Sequence, residues 1–167
     1  MTNKIKIALL IAFWAAIFFV AGMCTSKAAV PECTGEVEEI LIEKSEKMMT
    51  LYDTMGCVVA TYDVRLGVDE GPKHCEGDMK TPEGIYYITE KRNSKYYKFL
   101  ALDYPRAKDI KKAKELGCNP GSAIGIHAWI EGLPKEHSQG CITVWTKKEI
   151  LEINDLVNVG TKVIIKP

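Results

Sequence analysis

The segment I-G-I-H-A-W-I-E-G-L-P-K-E-H-S-Q-G-C-I-T-V, residues 124–144, holds two apolar runs of strand character separated by a polar connection containing Gly and Pro. The first run carries His127 and the second opens at Cys141, fourteen positions later. This layout suits a nucleophile and its base on neighbouring strands. A thiol attacks poorly until it ionises, and an adjacent imidazole is expected to take its proton and hold the thiolate as an ion pair, below the ordinary thiol pKa of about 8.5. Gly140, lacking a Cβ, can turn sharply before the thiol and aim successive amides at one point. The backbone N–H groups of Gln139, Gly140 and Cys141 are therefore candidates for an oxyanion hole. Alone, Cys141 would read as a buried structural cysteine and His127 as a core histidine. Together, and with the neighbouring glycine, they favour chemistry.

The rest of the chain places that pair in one exported domain. Of 167 residues, 47% are hydrophobic and 26% charged, ordinary values for a single globular module. Lys4 and Lys6 precede an apolar run from Ile7 to Val20, the pattern of a secretory signal. Residues 1–28 are read as that signal, or as an inner-membrane anchor through residues 7–23 if it stays uncleaved, and residues 29–35 as a leader. The expected location is the periplasm or cell envelope. Without the signal, 19 basic residues face 22 acidic ones, a net charge of −3, and no nucleic-acid partner is implied. Five cysteines then remain. With Cys141 free, Cys33, Cys57, Cys75 and Cys118 form an even set suited to two disulfides in an oxidising compartment. Three pairings are open. The one preferred here joins Cys75 to Cys118, in loops expected to border the cleft, and Cys33 to Cys57. No C-x-x-C or H-x-x-x-H spacing points to a metal.

Strand periods begin near Glu38 and return at Met48–Tyr52 and Cys57–Tyr62, a three-stranded meander. Thr81-Pro82-Glu83-Gly84 punctuates entry into Ile85–Thr89, an aromatic and β-branched strand, and is read as a structural turn. Asn93–Lys98 reads as a polar linker before a strand at Phe99–Leu102. Ala107, Ile110, Ala113 and Leu116 recur at helical spacing, with Gly117 as the stop. Thr146 and Glu149 form a capping box for a last helix running to Asn158, before a closing strand at Thr161–Lys166.

Together these motifs resemble the L,D-transpeptidase catalytic domain of the YkuD or ErfK type. That family places I-x-I-H and a small residue upstream of S/T-H-G-C, and T-P-x-G before an aromatic strand. Ala128 follows the histidine here, and Gln139 replaces the second histidine. The resemblance spans about residues 36–167, with Tyr104, Pro105, Ala107 and Asp109 matching a Y-P-x-A-x-D pattern of a smaller subgroup. It implies a mainly β fold with a few short helices, a β-sandwich whose cleft holds Cys141 and His127. It further implies Cys141 as nucleophile, His127 as general base and acid, Gly140 and Gln139 as oxyanion-hole backbone, and the Ala128 carbonyl orienting His127. Ser138, His137, Trp129 and Tyr104 are expected to contact substrate, with Trp145 a further aromatic near the cleft. The implied substrate is a peptidoglycan stem peptide, attacked through a thioester without cofactor or metal by a monomer. Transfer to an amine is favoured over hydrolysis, including hydrolysis of a wall-linked lipoprotein. A non-catalytic wall-binding module is the reading from another functional class.

Overall fold

The computed structural model describes residues 33–68 and 70–167; the signal or anchor reading and most of the leader lie outside them. Eight strands and two helices follow in order: β1 Val37–Glu43, β2 Met48–Asp53, β3 Val58–Asp63, β4 Gly84–Ser94, β5 Tyr97–Leu102, α1 Ala107–Glu115, β6 Gly125–Ala128, β7 Ile142–Val144, α2 Lys147–Leu156 and β8 Lys162–Lys166. The expected mainly β class and opening meander are observed, with β1, β2 and β3 antiparallel.

The strands form one continuous sheet in the order β3-β2-β1-β8-β4-β5-β6-β7. Its two halves share β4, whose Gly84–Tyr87 segment pairs with β8 while Ile88–Ser94 pairs with β5. The edges then nearly meet. Arg65, just past edge strand β3, exchanges backbone hydrogen bonds of 2.8 and 2.9 Å with Thr143 on the opposite edge strand β7. The β-sandwich implied by the resemblance is built here from a single sheet rolled almost shut. Inside lie fully buried side chains from both halves, among them Ile40, Leu51, Tyr86, Leu100 and Ile126. Each such burial stabilises the fold by about 1.5–3 kcal/mol.

Two expectations change. Asn93–Lys98 is no linker, because β4 continues to Ser94 and reverses over Lys95 and Tyr96 directly into β5. Thr89, Glu90, Arg92 and Asn93 are exposed there, so this extension has no apolar alternation to read, and its backbone ladder holds it instead. The α1 stripe also differs. Ile110 and Leu116 are half-exposed, and the helix buries Asp109 and Ala113. Asp109 earns its place inside by accepting from the Tyr86 hydroxyl at 3.0 Å and from the Arg106 amide at 2.8 Å. The α2 capping box forms as read: Thr146 Oγ1 accepts from the Glu149 amide, and the Glu149 carboxylate accepts from the Thr146 amide. Ile150 and Ile153 bury the inner face of that helix, which packs on β5 and β6.

The sulfurs of Cys33 and Cys57 lie at bonding distance with Cα atoms 5.8 Å apart, and those of Cys75 and Cys118 likewise with Cα atoms 5.7 Å apart. This is the preferred pairing of the three, and Cys141 is the free thiol among the described residues.

Candidate active site

His127 and Cys141 reach one cavity because β6 and β7 run parallel and adjacent, with Ile126 opposite Ile142 and His127 opposite Thr143. Parallel neighbours need a long connection, here Trp129 to Cys141, which becomes the cavity's outer wall. The cavity is about 620 Å³. Trp129, Leu133, Pro134, His137, Ser138 and Gln139 line it from this connection, and Arg92, Lys95, Tyr96 and Phe99 from the β4–β5 hairpin and its second strand.

The imidazole of His127 is buried, and its Nδ1 lies 2.9 Å from the Ala128 carbonyl oxygen. A carbonyl can only accept, so Nδ1 carries the proton and Nε2 keeps its lone pair. The ring is stacked by Tyr96, with centroids 4.2 Å apart, and more distantly by Phe99 at 5.9 Å. Burial lowers the His127 pKa from its ordinary value, the bond to Ala128 acts the other way, and the charges of Arg65 and Lys95 lower it further. Burial also raises the Cys141 thiol, against smaller lowering contributions from the Gly125 backbone and Lys73. Both shifts favour neutral forms. The Cys141 thiol donates to the Ala123 carbonyl at 3.5 Å, and burial works against the ion pair expected from the sequence.

The turn before Cys141 is built around Ser138 and Gly140. Ser138 Oγ donates to the Cys141 carbonyl at 2.5 Å and accepts from the Gly140 amide at 3.0 Å. Ser138 thus serves the loop itself, and the Gly140 N–H assigned to an oxyanion hole is committed to that hydroxyl. Gly140 takes φ +118°, and a Cβ there would stand 2.5 Å from the Lys80 carbonyl oxygen. Lys80 belongs to the segment leading into Thr81-Pro82-Glu83-Gly84, so this turn motif forms the support beneath the Cys141 loop. Thr81 is fully buried and accepts from the Gly67 amide at 2.9 Å, while Lys44 binds Glu83 at 2.6 Å. Asp78 gathers the preceding loop, accepting from the amides of His74, Cys75 and Lys80 and from the Lys73 ammonium at 2.8–3.1 Å.

The other sequence-derived contacts separate. His137 lines the cavity, and its Nδ1 is buried without a partner. Trp129 lines it too, with Nε1 donating to the Leu133 carbonyl at 3.1 Å. Tyr104 does not: it is 5% exposed, packs against Tyr86, and donates to the Pro120 carbonyl, so it is a core residue. Trp145 lies half-exposed beneath the Arg65 guanidinium, 4.1 Å from its ring centroid, rather than on the cavity wall. Sequence reasoning missed Tyr96, Phe99, Arg65 and Thr143. The aromatic pair Tyr96-Tyr97 inside an otherwise polar stretch was the available signal for the first of them.

Comparison with known proteins agrees with this geometry. Residues 38–165 match the family model of the YkuD L,D-transpeptidase catalytic domain. The Escherichia coli (strain K12) protein YafK, provisionally named an L,D-transpeptidase, is 33% identical over 91 residues, covering 50% of this chain and 37% of its own length. Among solved structures, a mutant of the helical cell shape determining protein Pgp2 from Campylobacter jejuni aligns with a TM-score of 0.64 at 25% identity, covering 81% of this chain and 48% of that one. A mutant of the Enterococcus faecium L,D-transpeptidase shares the fold with a TM-score of 0.54 at 18% identity, over 78% of this chain and 50% of that one. The chain spans half or less of each relative. The family match covers all but the end residues of the rolled sheet and the cavity holding His127 and Cys141, and the chain belongs to the YkuD L,D-transpeptidase catalytic domain family.

Proposed function

We propose that this protein is an exported cysteine acyltransferase that acts on peptidoglycan stem peptides. The observation that carries this reading is the free thiol of Cys141 lining the same cavity as an imidazole whose Nδ1 is bound and whose Nε2 is left to accept a proton. Cys141 passes its proton to His127 Nε2 as the sulfur attacks the peptide carbonyl carbon. The C–N bond then breaks, and the leaving amine takes that proton from the imidazolium. A thioester remains on Cys141. An incoming amine attacks it, giving its proton to His127, and the sulfur leaves to recover the thiol. The oxyanion is held by the amides of Gln139 and Cys141, since the Gly140 amide serves Ser138. No step calls for a cofactor.

Burial shifts both groups toward their neutral forms, which supports a proton that moves with attack rather than before it. Alkylation of Cys141 by iodoacetamide is expected to keep rising with pH through and beyond the ordinary thiol range near 8.5. A rate already level at pH 6 would mean a preformed thiolate. Turnover, which needs neutral His127, should fall only below the ordinary histidine value of about 6.5, because that group's pKa is lowered.

Export fits two disulfides, Cys33–Cys57 and Cys75–Cys118. Intact mass after alkylation without reduction should show one modified thiol on the mature chain, and each bridge should contribute about 2–4 kcal/mol. Three or more labelled cysteines would refute the pairing.

Product analysis tests the function itself. Incubation with tetrapeptide muropeptides and an added D-amino acid should yield the exchanged stem or a stem-to-stem dimer. Tripeptide alone, unaffected by the acceptor, would make the protein a hydrolase. No product from a folded protein with intact Cys141 would favour a wall-binding module.

A further inference from the structure

The cavity is lined by two cationic side chains, Arg92 and Lys95, and by two histidines, but by no aspartate or glutamate. That bias is local, since the sequence as a whole balances 22 basic against 22 acidic residues. Further positive charge stands behind the walls. Arg65 is 4% exposed, and its NH1 donates to the Lys135 carbonyl at 2.8 Å, while its Nε and NH2 are buried without partners. Arg65 opposes Thr143 across the closing bridge and Thr143 opposes His127 across β6–β7, so the three side chains share one face of the sheet. Thr143 Oγ1 and His137 Nδ1, both buried, unpaired and on the cavity wall, are hydrogen-bonding groups held ready for something that enters. Glu136 is the acidic group whose charge reaches Arg65, and it is exposed outside the cavity.

The two cations at the mouth are not equivalent. Arg92 is already engaged, 2.7 Å from the Glu90 carboxylate and stacked over Phe99. Lys95, at the turn of the hairpin, stands over the Tyr96 ring at 5.1 Å and forms no ion pair among the described residues. Tyr96 is in turn the ring stacked on His127. A carboxylate drawn to Lys95 therefore meets the cavity at the wall whose ring covers His127.

Resting on the acyltransferase reading, we propose that Lys95 is a specificity-determining residue that selects substrates bearing a free carboxylate close to the scissile bond. A stem peptide with an unblocked C-terminal residue has that group, and the same peptide ending in a carboxamide does not. Thr143 Oγ1 and His137 Nδ1 hydrogen-bond the neighbouring polar groups of the peptide.

Two measurements test this separately from turnover. Cys141 in the folded protein is alkylated with iodoacetate, which carries a carboxylate, and with iodoacetamide, which is neutral but otherwise alike. The iodoacetate-to-iodoacetamide rate ratio should fall about fivefold in Lys95→Gln, stay near the parent value in Lys95→Arg and Arg92→Gln, and lose its dependence on Lys95 in 1 M salt. An unchanged ratio in Lys95→Gln, or a fall confined to Arg92→Gln, overturns the assignment whether or not the protein turns over muropeptides. Where it does, kcat/KM should favour the free acid over the carboxamide by a similar factor in the parent and not in Lys95→Gln. Equal use of both by the parent would also overturn it. Absence of all turnover with a Lys95-dependent alkylation ratio would reject the acyltransferase reading and leave the carboxylate subsite standing.

Discussion

Replacing Cys141 by Ser should leave the protein folded and lower turnover of muropeptides at least about a thousandfold. The oxygen is smaller than the sulfur and makes no demand on the loop, whose shape is set by Ser138 and Gly140. A hydroxyl, however, is a far poorer nucleophile against an imidazole whose basicity burial has already reduced. His127→Gln should cost a comparable factor, and the double variant little more, because the two groups act in a single proton transfer and their losses do not add. Retention of a tenth of the parent activity in Cys141→Ser would remove Cys141 from the mechanism. Circular dichroism of each variant separates a lost reaction from a lost fold.

The second large effect is expected at Gly140. In Gly140→Ala the new Cβ would stand 2.5 Å from the Lys80 carbonyl and 3.3 Å from Ile124 Cδ1, at a φ that side chains rarely adopt. The backbone must move, and the cost should reach about 3 kcal/mol, a large share of a domain's stability of about 5–15 kcal/mol. Gly132 is the control. It too has a positive φ, +93°, but nothing lies within 4 Å of its Cβ position. Gly132→Ala should therefore cost only about 1 kcal/mol, from conformation alone. Denaturant unfolding of both variants would show the difference. Equal losses would mean that the close approach of Lys80 does not govern the Cys141 loop.

The sequence made legible what is local and periodic. The meander, the α2 capping box, the strand carrying His127 and the one that follows Cys141 all follow from spacing that backbone geometry enforces. The Ala128 carbonyl contact to His127 was implied by family resemblance and is present as a 2.9 Å bond. Less legible was whatever depends on residues far apart. Tyr96 reaches His127 only because Phe99 pairs with His127 across β5 and β6, a register no local pattern announces. Tyr104 looked available to substrate because an aromatic beside Pro105 in a loop gives no sign of burial, yet Tyr86 and the Pro120 carbonyl enclose it. A motif brings thiol and imidazole to one cavity, whereas the burial that shifts both toward their neutral forms comes from the surrounding walls.

The position of β8 has a consequence for how the chain acquires its shape. β8 lies between β1 and β4, and Lys162 bonds Glu39 across 123 positions of sequence. The first three strands can pair among themselves as soon as they exist, but β1 and β4 are joined in the sheet only through β8, the last strand to be made. Folding that waits on so distant a partner has a high contact order and is slow. Cooperative protection of the β1 amides that face β8 should accordingly appear late in refolding and together with those of Gly84–Tyr87 in β4, the two seams that the last strand closes.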